Sequence, residues 1–321
     1  MIILFYLALT IAFIITSTAK YKIHPFLVLI FASLIMGFMG GLEPNVILKT
    51  LSEGFGNTLK SIGIIIAGGS IIGVFLEKTR AAQSIAEKIV KIVGDSNSSL
   101  AMNLTGGIVS IPVFCDSGFV ILSSLNNAIN KKTKISLAIL GTSLAAGLYT
   151  THVFVPPTPG PLAAASILGA NVGLVLLYGL IIAIPVSLVG WFWSVFYCSK
   201  FSIHQENENE VGLKKENNEI PKTYKSILPI IMPILLITTK SIIEHPSITI
   251  NNQFINNIIL FLGHPIIAIL VGVIFAMTIP KTLSKKLKFN WVSKALESAG
   301  GIILITGAGG AFGNILRKTS I

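Results

Sequence analysis

The sequence predicts an all-α, polytopic membrane protein built from inverted repeats, with a re-entrant helical hairpin, a proline-broken transmembrane helix and an incomplete second repeat. Three observations predict it. Across 321 residues, 52% are hydrophobic and 12% are charged, with a mean hydropathy of +0.80, which excludes an ordinary soluble domain. Two segments are apolar enough for lipid yet cannot cross it as plain helices. A residue pattern also recurs at a fixed offset of 240 positions.

In chain order, apolar spans are expected at 2–19, 24–43, 59–76, 135–170, 172–198, 226–242, 255–279 and 299–316. No basic stretch precedes 2–19 and no convincing cleavage site follows it, so it reads as a retained span and not a signal peptide. Residues 82–93 have the pattern of an amphipathic surface helix, and Asp95-Ser96-Asn97-Ser98-Ser99 that of a turn.

The hairpin is expected over 104–130. Arms 104–114 and 118–129 flank a polar tip, Cys115-Asp116-Ser117. Each arm gives roughly 17 Å of helix against a hydrocarbon core of roughly 30 Å, so the chain should enter and return. Next, 135–150 leads into Thr151-His152-Val153-Phe154-Val155-Pro156-Pro157-Thr158-Pro159-Gly160-Pro161. Its prolines remove amide donors and clash with the preceding turn, so 135–170 reads as one interrupted crossing. Irregular backbone at membrane depth survives only where protein buries it or it lines a watery cavity, and broken helices there mark the binding sites of secondary transporters.

The net charge of +11 could suggest nucleic acid in a soluble chain. Here the positive-inside rule accounts for it. With the loop after 2–19 cytoplasmic, all basic residues lie inside except Lys49, Lys60, Lys240, Arg317 and Lys318, and the amino terminus is extracytoplasmic. Residues 200–225 form a polar linker, dividing a first repeat at 1–199 from a second at 226–321. The offset pattern pairs His24-Pro25 with His264-Pro265. It also pairs Ile62, Ile65, Gly69, Gly73, Leu76, Lys78 and Thr79 with Ile302, Ile305, Gly309, Gly313, Leu316, Lys318 and Thr319. The topology runs 24–43 outward and 255–279 inward, so the repeats are inverted. A counterpart of Asp116 would fall near position 356, so the second repeat is expected to lack its hairpin and broken helix, as in a transporter truncated at its carboxyl end.

The string Ile111-Pro112-Val113-Phe114-Cys115-Asp116-Ser117-Gly118-Phe119-Val120-Ile121-Leu122 and the proline-rich string at 151–161 resemble the gluconate permease family. So do Gly54-Phe55-Gly56-Asn57-Thr58-Leu59, Gly263-His264-Pro265 and 299–310. The resemblance implies an ion-transporter-type permease of the bacterial inner membrane that imports gluconate or a related sugar acid with protons; some relatives carry D-serine. Elevator-type relatives are often dimers, so a homodimer is among the states the resemblance allows.

Asp116, the only acidic residue in the interior of an expected membrane segment, fits a proton carrier, because burial favours its neutral form; a carboxylate capping the second arm accounts for it equally. Ser117 and Gly118 begin that arm, where free amides would bind a carboxylate or where a tight turn needs small residues. Thr150, Thr151, Thr158 and Gly160 surround the break and either contact substrate or satisfy freed carbonyls. His152 is the second proton-coupling candidate, with a structural hydrogen bond as its alternative. Gly69-x-x-x-Gly73 and Gly309-x-x-x-Gly313 match close helix–helix packing. His24 and His264 are expected to cap their spans. Cys115 and Cys198 are expected to be reduced thiols.

No metal-ligand spacing, phosphate loop or nucleophile motif appears in the sequence, so no cofactor, metal or enzymatic activity is expected. The function predicted is proton-coupled uptake of gluconate or a related sugar acid. Two alternatives stand beside it: a truncated, non-transporting remnant, and a symporter for another small carboxylate such as D-serine or glycerate.

Overall fold

The computed structural model describes residues 2–203, 220–244, 252–280 and 284–319. Most of the expected linker (204–219) and Lys281 lie outside the described residues. Every regular element described is helical. In order they are α1 (Ile2–Ile15, continued by a π turn, Thr16–Lys20), α2 (Pro25–Met39), α3 (Pro44–Lys78), α4 (Ala81–Val93), α5 (Ser98–Val109), α6 (Cys115–Thr133), α7 (Leu137–Phe154), α8 (Pro159–Leu168), α9 (Val172–Cys198), α10 (Thr223–Ile243), α11 (Gln253–Leu262), α12 (Pro265–Thr278) and α13 (Lys285–Lys318). A short 3₁₀ turn, Asp95–Asn97, joins α4 to α5.

Six of the described stretches are long and apolar enough to cross a membrane, and the α11–α12 pair, bent by 68°, makes a seventh if taken as one span. The chain is a multi-pass membrane protein. Four expected spans change in detail. Segment 24–43 yields only the 15 residues of α2, about 22 Å at 1.5 Å per residue. The spans at 59–76 and 299–316 belong to helices of 35 and 34 residues, α3 and α13. Segment 255–279 is broken at Gly263-His264, because Pro265 starts a new helix at its first position, where a missing N–H costs nothing. At their amino ends, the His24 ring accepts from Phe26 N–H (3.3 Å), whereas the His264 side chain caps nothing.

α3 and α13 form the central pair and run antiparallel. Asn314 donates to the Thr50 carbonyl (2.8 Å), a methyl group on Gly54 would stand 2.8 Å from the Gly310 carbonyl, one on Gly307 would meet Phe55 and Leu59, and Gly63 faces Ile303. Numbers rise on one helix as they fall on the other. At Gly63 and Ile303 the two helices meet at positions 240 residues apart. The buried stripe Ile47, Thr50, Gly54, Thr58 keeps the three- and four-residue spacing of one helix face.

Around this pair, a core cluster joins Ile65, Ile72 and Phe75 of α3 to Ile85 of α4, Leu144 and Leu148 of α7, and Ile269 of α12. α5 lies so close on α7 that a methyl on Gly106 would stand 2.6 Å from the Leu144 carbonyl. A buried polar network locks both to α9. Asn103 donates to the carbonyls of Ser143 (3.0 Å) and Ser187 (3.3 Å), and accepts from the Ser187 hydroxyl (2.8 Å). The outer face of α9 carries stacked aromatic pairs, Phe192–Phe196 and Trp193–Tyr197, with the Lys200 amine 5.0 Å from the Tyr197 ring. Such a group suits the lipid–water boundary. Cys115 and Cys198 are free thiols.

Candidate functional site at the hairpin and the break

The hairpin exists, with shifted limits. Its arms are α5 and α6, so the expected turn at Ser98-Ser99 is already helix. The connection is Ser110-Ile111-Pro112-Val113-Phe114, and Cys115-Asp116-Ser117 form the first turn of α6 rather than the tip. Pro112 is the reason: it cannot supply an amide to a continuing helix. Small polar residues then favour the new helix start. The first backbone bond there runs from Gly118 N–H to the Phe114 carbonyl (2.9 Å). The amides of Cys115, Asp116 and Ser117 precede it, as the leading amides of any helix do.

The break is shorter than the expected 151–161. α7 continues to Phe154 and α8 begins at Pro159, leaving Val155-Pro156-Pro157-Thr158 non-helical. Pro159 and Pro161 sit in the first turn of α8, where their missing amides would have no helical partner in any case. The two halves continue as one crossing of 32 residues.

Hairpin and break meet on α3. A methyl on Gly69 would lie 3.2 Å from the Pro157 ring, and one on Gly73 would lie 2.6 Å from the Pro112 carbonyl. These glycines therefore admit non-helical backbone, not a second helix as the GxxxG pattern suggested. Gly309 faces open space and Gly313 only Ile167; the α3–α13 contact uses Gly54, Gly307 and Gly310 instead.

Asp116 is exposed, so the argument from burial for a neutral carboxyl finds no support within the described chain. The Cys115 thiol points to its carboxylate (3.6 Å), and Tyr149 and His152 of α7 lie within its electrostatic reach. His152 is half-buried, its ring edge-on to Phe114 with centroids 6.3 Å apart. Its Nδ1 is buried without a protein partner. Ser117 is half-buried, while Gly118 is buried beneath Leu148, which a methyl would approach to 2.8 Å, so its small size serves packing. Thr150 and Thr151 donate back to the carbonyls of Ala146 (2.7 Å) and Gly147 (3.2 Å). Thr158 donates to the Val155 carbonyl (2.7 Å) and borders a pocket with Val113 and Phe114. Gly160 is exposed with open space around it.

The structure thus gathers Asp116, Ser117, His152 and Thr158 near the hairpin connection. It gives Thr150 and Thr151 carbonyl partners of their own helix. Two residues beside these were not singled out from sequence. Tyr149 lies three residues before His152, and so on the same helix face; Ser70 lies within an apolar span. Among the described residues, no group of three or more His, Cys, Asp or Glu could hold a metal ion.

A family model described as GntP family permease matches residues 2–321. The chain belongs to the GntP permease family. That membership makes it a permease and not an enzyme, and it agrees with the resemblance carried by the hairpin and proline strings. The chain is 35% identical over 316 residues to an uncharacterized permease of Haemophilus influenzae, covering 94% of this chain and 64% of the relative. It is 28% identical to a gluconate permease of Pseudomonas aeruginosa (97% and 70% covered). It is 31% identical to the D-serine transporter of Escherichia coli K12 (98% and 71% covered). The family match extends to the last residue and lends no support to the expected carboxyl-terminal truncation. The chain spans about two thirds of the length of these relatives.

Proposed function

We propose that this GntP family member is a secondary transporter that carries a small carboxylate, gluconate or a related sugar acid, inward across the cell inner membrane together with protons. The observation that carries the reading is the start of α6. Its first amides form the positive end of a helix, with Asp116 on the same turn and His152 of α7 within its electrostatic reach. An ionised Asp116 competes with a substrate carboxylate for that end. Protonating it removes the repulsion, so proton and anion bind together, and neither binds well alone. His152, with an unpartnered Nδ1, relays the proton. Ser117 and Thr158 offer hydroxyls to the substrate, and the hairpin and the break move against α3 at Gly73 and Gly69, where α3 presents no side chain of its own. The charge bias supports an extracytoplasmic amino terminus.

The D-serine transporter among the relatives favours a second reading, an amino-acid or glycerate symporter, since carboxylate capture is common to all three substrates. The test is uptake of labelled gluconate, D-serine and glycerate into vesicles bearing this chain under an imposed inward proton gradient. Gradient-driven accumulation of gluconate above the other two is expected, and Asp116→Asn should abolish its dependence on the gradient. Asp116→Asn uptake with unchanged pH dependence would refute the coupling role; accumulation of none of the three would refute transport by this chain.

A further inference from the structure

Ser70 lies in the middle of α3, 4% exposed, and its hydroxyl is buried with no hydrogen-bond partner. Helical hydroxyls in this protein normally bond back one turn: Thr58 to Gly54 (2.8 Å), Thr79 to Phe75 (2.6 Å) and Thr105 to Ala101 (2.7 Å). Ser70 does not, although a buried hydroxyl left unpaired costs free energy. It borders a small cavity of about 10 Å³, room for a single water-sized group, between Gly69, the hairpin connection (Pro112, Phe114) and the break (Pro157, Thr158). The remaining wall is largely apolar. Across it, the Thr158 oxygen is committed as donor to Val155 but retains capacity to accept.

We infer that Ser70 is a substrate-binding residue of this permease, with its hydroxyl paired with a hydroxyl of the permeating sugar acid while Thr158 accepts from that same group. The inference rests on the transport reading above and adds to it a third element, α3, besides the hairpin and the break. A donor facing an acceptor suits an alcohol, which is both, and discriminates against a chain that lacks it, since such a chain leaves buried polar groups unpaired. The pair therefore selects hydroxylated acids over plain fatty acids, while the start of α6 holds the carboxylate.

The test compares wild type with Ser70→Ala and Ser70→Cys in the full 321-residue chain, measuring labelled gluconate uptake, its inhibition by hexanoate, and thermal stability in detergent. Ser70→Ala should raise the gluconate KM about tenfold with Vmax within about twofold, leave the hexanoate inhibition constant unchanged, and melt no lower than wild type, because it deletes an unpaired group. Ser70→Cys, similar in size and a weaker donor, should fall between the two. An unchanged gluconate KM in Ser70→Ala overturns the inference alone, as does an equal loss of gluconate and hexanoate affinity. If Ser70→Ala melts lower, Ser70→Cys decides: a KM equal to that of wild type overturns the inference. Absence of uptake by wild type overturns the transport reading, and the inference falls with it.

Discussion

Replacing Gly106 by alanine tests whether the hairpin is held in place by its backbone contact with α7. The added methyl would stand 2.6 Å from the Leu144 carbonyl oxygen and 2.9 Å from the Leu148 amide nitrogen, and ordinary contact begins at 3.4 Å. Both obstacles are backbone, so no side chain can swing away, and the helices must part by about 0.8 Å. The same displacement lengthens the Asn103-to-Ser143 hydrogen bond, now 3.0 Å, to about 3.8 Å, beyond a real bond. Overpacking costs about 1–3 kcal/mol, and the lost bond adds about 0.5–1.5 kcal/mol. The variant should melt several degrees lower in detergent, measured by the fraction remaining monodisperse after heating. Its uptake should fall even at temperatures where it stays folded, since α5 carries the connection that abuts the break. A melting temperature equal to that of wild type would refute the claim that this crossing is closed to a side chain.

Two further substitutions follow from the same packing. Asn103→Ala, fully buried with three hydrogen bonds to Ser143 and Ser187, should cost about 1–3 kcal/mol, and combining it with Gly106→Ala should cost less than the sum, because both break one bond; a double-mutant cycle in the same melting assay reads this. Gly301→Ala in α13 meets nothing within 4 Å and should stabilise by about 0.5–1 kcal/mol through helix propensity, so a lower melting temperature for that variant would contradict the open face.

Much of this architecture was legible from residue order, for identifiable reasons. Long apolar runs such as 172–198 exposed their helices directly, and the His-Pro pairs 240 residues apart announced the starts of α2 and α12. The prolines after Val155 announced backbone that could not be helix, whereas Pro112 was counted inside a helical arm. What hydropathy hid was the front of α3, where Lys49, Ser52, Glu53 and Asn57 interrupt the apolar run; there the signal lay in the spacing of Ile47, Thr50, Gly54 and Thr58, which α13 covers. Polarity also misled at the hairpin, where Cys115-Asp116-Ser117 looked like a tip and proved to be a helix start. The site was half legible. Asp116, Ser117, His152 and Thr158 stood out by chemistry, whereas Ser70 is marked only by a missing partner, which no sequence pattern records. Of the two readings of Thr150 and Thr151, their bonds to carbonyls of their own helix match the carbonyl one.

The antiparallel seat of α3 on α13 has a consequence for biosynthesis. Gly54 meets Gly310, so its partner is made 256 residues later. At roughly 5–20 residues per second, the ribosome needs about 13–50 s to supply it. For that interval α3 must wait in the membrane with its narrow, small-residue seam filled by lipid or by insertion factors. The centre of the molecule therefore closes only after that delay, and premature release of the nascent chain would leave that seam open.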